Sequence, residues 1–242
     1  MKNLKNYSLL FILLLIWQSL TFFEFIPHYL LPSPYQVISS FISDFWLIMH
    51  HTRSTLLIAF IGVLIGIAIS IVLSLLMDMN KHLYDVIYPV LIITQTIPTV
   101  AIAPLLVIWL GYYMKPKIFL VALTSFFPIV ISLLDGYKSV DVDIIKLLKV
   151  MGANKYQIYI HAKIPASIGY FFAGLRVALS YSLISAVVAE WLGGFYGLGV
   201  YMTRVRKAYE LDKMFAVIFF ISFLSIILMS LVDSIQKKII KY

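Results

Sequence analysis

The chain has 242 residues, of which 62% are hydrophobic and 12% charged, with a formal net charge of +8. Soluble domains carry about 25% charged residues, so a water-soluble globule is excluded and an integral membrane protein is implied. Basic residues beside apolar runs set orientation against an anionic leaflet, so the positive balance points to a lipid bilayer and no nucleic acid.

Lys2 and Lys5 precede the apolar run Tyr7 to Phe25. That run is longer than a signal-peptide core and ends at Phe25-Ile26-Pro27 without a small-x-small cleavage pattern, so it is expected to stay as the first span. Further apolar runs complete six predicted spans at about 7–26, 55–77, 86–110, 118–136, 169–190 and 214–233, each near the ~20 residues a bilayer requires. The reading is all-α: one polytopic domain, residues 1–242, with no room for a separate soluble domain.

Between the first two spans, Pro27 to Ser54 carries apolar residues at near-helical spacing around Asp44, which predicts a helix along the membrane surface. Span three contains Pro89, Pro98 and Pro104. Each lacks a backbone donor, so this span is expected to be bent or locally broken, and Pro98 is its candidate for a translocation pathway.

The polar stretch Asp141 to Pro165 separates spans four and five. It is amphipathic up to Met151, breaks at Gly152, restarts at Asn154 and stops at Pro165, which reads as two short helices joined by a tight turn. Such a hairpin suits docking into a groove. Eleven basic residues (Lys2, Lys5, Lys81, Lys138, Lys146, Lys149, Lys155, Lys163, Lys237, Lys238, Lys241) fall on its side of the alternation and seven on the other, so it and both termini are expected to be cytoplasmic.

Span five repeats small residues at Gly174, Ala178, Ser182 and Ala186, ending on Glu190. Another helix can approach that face closely, whether within one subunit, at a subunit interface or along a pore. An isolated charge inside a membrane costs about 2.5 to 3.5 kcal/mol, so Arg176 and Glu190 need partners or water. Arg176 can snorkel outward or pair with Asp135, Asp143 or Asp233, in a structural or a gating role. Glu190 is either an interfacial carboxylate or one that faces a central cavity, where it binds a polar solute or positions the entry loop. Gly193, Gly194, Gly197 and Gly199 are expected to turn the chain outside this span.

No GxxxxGK[ST] stretch is present, so the chain is not expected to hydrolyse a nucleotide. The absence of cysteine removes thiolate sites. His28, His50, His51, His82 and His161 form no HExxH and are read as interfacial, with no metal site expected. No close pair of catalytic side chains is evident, so no catalytic residue is assigned.

With these residues in place, the chain resembles the permease subunit of type I bacterial ATP-binding-cassette (ABC) importers from about residue 30 onward. That family's motif runs Glu-Ala-Ala, three residues, Gly, nine residues, Ile, one residue, Leu-Pro. Gly152 and Pro165 stand at its thirteen-residue separation, while Lys146, Leu147 and Leu148 occupy the Glu-Ala-Ala positions, Ala162 the Ile and Ile164 the Leu. The core importer region is then about 55–236, and 141–165 becomes the coupling segment. The resemblance implies that Lys146, Leu147, Leu148, Met151, Gly152, Ala153, Asn154, Tyr156, Ile160 and Pro165 meet an ATPase subunit. Pro98, Ser182, Ala186 and Glu190 are its pathway candidates.

Leu31-Pro32-Ser33-Pro34, IPTVAIAPLLVIWLG at 97–111, FFPIV at 126–130, AGLRVAL at 173–179 and AEWLGGFYGLG at 189–199 resemble the subgroup that imports sulfonates, nitrate, taurine and thiamine precursors. Within it, AEWLGGFYGLGVYMTRV at 189–205 and DKMFAVIF at 212–219 most resemble hydroxymethylpyrimidine permeases. The implied assembly has two ATPases carrying ATP and Mg, a second permease copy as a homodimer, and an external solute-binding protein, in a bacterial cell membrane. An ion-gradient-driven transporter or channel is the alternative of another class, and would need no ATPase.

Overall fold

The computed structural model describes residues 2–27 and 29–240, with side chains from Phe11 onward. The side chains of Lys2 and Lys5, and His28 and Lys241 altogether, lie outside the described residues, as do the readings placed on them.

Every regular element among the described residues is helical. In chain order these are α1 (Lys2–Phe22), α2 (Pro34–Ser43), α3 (Phe45–Met79), α4 (Lys81–Gln95), α5 (Thr99–Leu110), α6 (Met114–Lys138), α7 (Val142–Val150), α8 (Lys155–Ile158), a π turn (Tyr159–Lys163), α9 (Ile164–Trp191), α10 (Leu198–Lys207) and α11 (Leu211–Ile239). Four helical runs are long and apolar enough to cross a membrane: α3, α6, Lys155–Trp191 and α11. The pair α4 and α5 makes a fifth, bent by 100°. The 21-residue α1 occupies the place of the sixth.

The core lies where α6 packs between α3 and α9. Small residues allow the close approach: a Cβ on Gly174 would collide with the Pro128 carbonyl and the Ser132 side chain. Gly174, Ala178, Ser182 and Ala186 are all buried in this contact, so the stripe serves packing within the subunit. α1 rests on α11 through Trp17, which packs at a tilt against Phe215 and Phe219 and donates its indole N–H to the Pro32 carbonyl at 3.0 Å.

Two expectations change. Residues 45–54 are not part of a separate surface helix. They form the first turns of α3, whose 35 residues span about 52 Å at 1.5 Å per residue, longer than the ~30 Å hydrocarbon core. Only α2 is separate from that span, started by a capping box between Ser33 and Gln36 with Pro34 in its first turn.

The second helix of the polar segment does not stop at Pro165 but runs on into α9. Pro165 has no N–H, and its ring would meet the carbonyl four residues back in a regular helix. The π turn relieves this by shifting register, with the Ile164 N–H bonding the Tyr159 carbonyl.

Candidate functional site

A cavity of about 590 Å³ opens where α4 and α5 part. Its wall is Thr94–Thr99 with Ile102, then Leu123, Thr124, Phe127 and Pro128 of α6, and Val177, Tyr181, Ile184 and Ser185 of α9. Proline alone does not make the break, since Pro89 and Pro104 both sit inside helices. At the break, the Thr94 and Thr96 hydroxyls bond back to the Leu91 and Ile93 carbonyls at 2.9 and 2.7 Å, competing with the next helical turn. Pro98 then disfavours a helical conformation at Ile97 and starts α5 as its N-cap residue. The lining carries hydroxyl, amide and aromatic groups and no Asp, Glu, Lys, Arg or His.

Pro98 lies on this wall; Ser182, Ala186 and Glu190 do not. Helical geometry explains the difference: their four-residue stripe faces the core, whereas Val177, Tyr181 and Ser185, one position earlier on each turn, face the cavity.

Glu190 instead anchors the loop after α9. It is 1% exposed, and its carboxylate accepts from Thr55 Oγ1 at 2.9 Å and from the Gly199 N–H at 2.8 Å. Thr55 Oγ1 in turn accepts from the Leu198 N–H at 2.8 Å. His51 Nδ1 accepts from the Gly197 N–H at 3.0 Å. His51 is therefore a buried acceptor in the core, not an interfacial residue, because this Nδ1 satisfies an otherwise orphaned amide. Gly197, with φ 129°, passes so close that any Cβ would overlap the Glu190 carboxylate.

A second polar cluster fixes α10. Tyr201 donates to Asp44 Oδ2 at 2.8 Å, and Lys213 lies 3.3 Å from the same oxygen. Burial first, then the hydrogen bond to Asp44, push the Tyr201 hydroxyl above its ordinary range and keep it a donor.

At the other end, α7 buries none of its residues against the rest of the chain. Leu147, Met151 and Tyr156 are exposed, with Ile160 exposed to a lesser degree. The turn is closed by the Gly152 N–H on the Lys149 carbonyl at 3.0 Å and the Ala153 N–H on the Leu148 carbonyl at 2.9 Å, with Gly152 at φ 85°. This is a Schellman end, for which glycine is the least strained residue. Asn154 caps the restart in a reciprocal box with Gln157. Lys146, at the motif's acidic position, pairs with Asp143 at 2.8 Å on the exposed face.

Arg176 resolves to one of its three possible partners, Asp233 on α11, at 2.6 Å, and also donates to Gln236 at 2.7 Å. Sequence reasoning missed Asp78, which accepts from Tyr159 and from Lys163 at 2.5 Å. No local pattern links residues about eighty positions apart. A lone acid near the end of a long apolar run is the only signal available.

Residues 62–241 match the family model described as binding-protein-dependent transport system inner membrane component. The chain belongs to this family. It is similar to a probable ABC transporter permease of Haemophilus influenzae, 33% identical over 98% of this chain and 97% of that protein. It is also similar to the formylaminopyrimidine transport permease ThiX of Halalkalibacterium halodurans, 35% identical over 82% and 80% of the two chains. A third relative is the riboflavin transport permease RibX of Chloroflexus aurantiacus, 32% identical over 96% and 88%. Among solved structures, the inward-facing MetNI methionine ABC transporter matches with a TM-score of 0.73 at 17% identity, over 82% of this chain and 99% of that one. The fold is thus that of a type I importer permease.

Proposed function

We propose that this permease is the non-catalytic membrane subunit of an ATP-driven importer that carries a small polar solute, a thiamine-precursor pyrimidine, inward. The observation that carries the reading is the pairing of an exposed helix in the coupling segment, α7, with a cavity walled by the helix that follows it. α7 has an exposed apolar face with no partner in its own chain, and the helix that follows it, Lys155–Trp191, supplies one wall of the cavity. Two ATPase subunits are the partners proposed for 141–165, through Leu147, Leu148, Met151, Tyr156 and Ile160 around the Gly152 turn. A second copy of the chain would complete the pathway, and an external binding protein would deliver solute. ATP and Mg belong to the ATPases, and both termini and the coupling segment face the cytoplasm.

Closure of the ATPases would move the coupling segments and open the cavity outward beneath the binding protein; hydrolysis would reset it. The uncharged lining favours a neutral heterocycle over a sulfonate or nitrate, since an anion here has no fixed countercharge against a membrane cost of about 2.5 to 3.5 kcal/mol. Phe127 and Tyr181 offer ring faces, and Gln95, Thr124 and Ser185 offer hydrogen bonds. A riboflavin-like solute shares that chemistry and is the second reading.

The test is uptake by proteoliposomes holding the permease, its ATPase and its binding protein. ATP-dependent accumulation of formylaminopyrimidine or hydroxymethylpyrimidine is expected. Accumulation of taurine but not pyrimidines would reject the solute, and flux driven by an ion gradient without ATPase would reject the importer.

A further inference from the structure

Both flanks of the coupling segment grip one corner of the bundle. The corner is the turn from α3 to α4, where Asn80 ends one helix and caps the next, accepting from the His82 N–H at 3.0 Å. On one side lies Lys138, the last residue of α6 before the segment begins. Its ammonium donates to the Tyr84 hydroxyl of α4 at 2.5 Å and stands 4.1 Å from that ring's centre. On the other side lies the π turn, whose Tyr159 and Lys163 both donate to Asp78 on the last turn of α3. Asp78 and Lys163 are largely shielded, with side-chain exposures of 10% and 17%.

α7 buries none of its residues, and no extensive packing joins it to another described element. Motion of the segment therefore reaches the bundle through its two ends, and both ends are fastened to the same corner. From that corner α4 runs 15 residues, about 22 Å, to the break at Thr96–Pro98 that walls the cavity. A charge pair withdrawn from water holds its geometry, because separating it strands a charge in a poor solvent.

We infer that the α3–α4 corner receives the coupling motion: Asp78, clasped by Tyr159 and Lys163, and Tyr84, clasped by Lys138, make α4 a lever between the ATPase-facing segment and the cavity wall. These are positioning residues. None of them lines the cavity. The inference rests on the importer reading above, and its separate content is the route the motion takes.

The test is the ratio of solute taken up to ATP hydrolysed, measured on the complete reconstituted complex with formylaminopyrimidine. The variants are Tyr159→Phe, Lys138→Met, and the neutral double exchange Asp78→Asn with Lys163→Met, which removes the pair without leaving a lone charge. Loss of the clasp is expected to lower the ratio about tenfold, the size of an ordinary coupling energy between two sites, while stimulated ATP hydrolysis stays within about twofold. The exchange Asp78→Lys with Lys163→Asp should recover part of the ratio. An unchanged ratio in normally assembled variants would overturn the route, as would uptake and hydrolysis falling in parallel, which marks a merely structural staple. If the unaltered complex shows no ATP-dependent uptake, the importer reading fails and takes this inference with it.

Discussion

Glu190 shows how one buried carboxylate can organise a loop that has few side chains of its own. Its two oxygens meet the Thr55 hydroxyl and the Gly199 amide, and the adjoining donors reach Thr55 and His51. Leucine at this position would leave the Gly199 N–H without its acceptor in a closed site and the Thr55 hydroxyl with only the His51 carbonyl at 3.4 Å. Glu190→Leu should cost about 2 kcal/mol or more, and Glu190→Gln less because the amide oxygen still accepts; thermal unfolding of the detergent-solubilised permease measures both. A gain is available at Tyr209, an exposed non-glycine residue at φ 60° in the Schellman end of α10. Tyr209→Gly should stabilise the protein by about 1 kcal/mol in the same assay, since the left-handed conformation penalises a Cβ. The sequence marked Glu190 as a residue in need of partners but could not name them. Thr55 is 135 positions away and looks like any hydroxyl in an apolar run.

At the scale of elements, local chemistry set the ends and tertiary packing set the continuity. Gly152 and Asn154 carry their signals in their own residue types, so the turn between α7 and α8 was legible: a left-handed glycine, then a capping asparagine. The continuation through Pro165 was not, because whether proline ends a helix or merely shifts its register depends on what holds the next turn. Here Tyr159 and Lys163 hold it to Asp78. The three prolines of span three teach the same lesson, since only Pro98 coincides with hydroxyls that divert the preceding carbonyls. At the turn itself, a Cβ on Gly152 meets nothing within 4 Å, so the space is open but the backbone is strained for any other residue. Gly152→Asp should therefore leave the protein in the membrane while abolishing uptake, as membrane fractionation and ATP-dependent transport of the same preparation will reveal. Transport at the unaltered rate would disprove the docking role of the turn.

For the molecule as a whole, the described chain presents an uncharged cavity at one break and an unpartnered apolar face on α7. Under the proposed function, a second copy would complete the cavity and an ATPase would cover the face. Affinity purification of the permease from cells expressing its ATPase should recover two permeases with two ATPases, which native mass spectrometry can count. A permease active without any ATPase would point to the other transporter class.

Composition and the length of the apolar runs were sufficient for an all-α membrane protein, because a bilayer leaves every backbone polar group to be satisfied within a helix. The Gly152-to-Pro165 separation, together with the stretches at 31–34, 97–111, 126–130, 173–179 and 189–199, carried the resemblance to the family that the match over residues 62–241 shows. Which face of α9 meets the cavity, which acid Arg176 selects and what closes around Glu190 were decided only by the packed bundle. Those answers depend on where α3, α6 and α11 lie against α9, and side chains far apart in the chain carry no mark of meeting there.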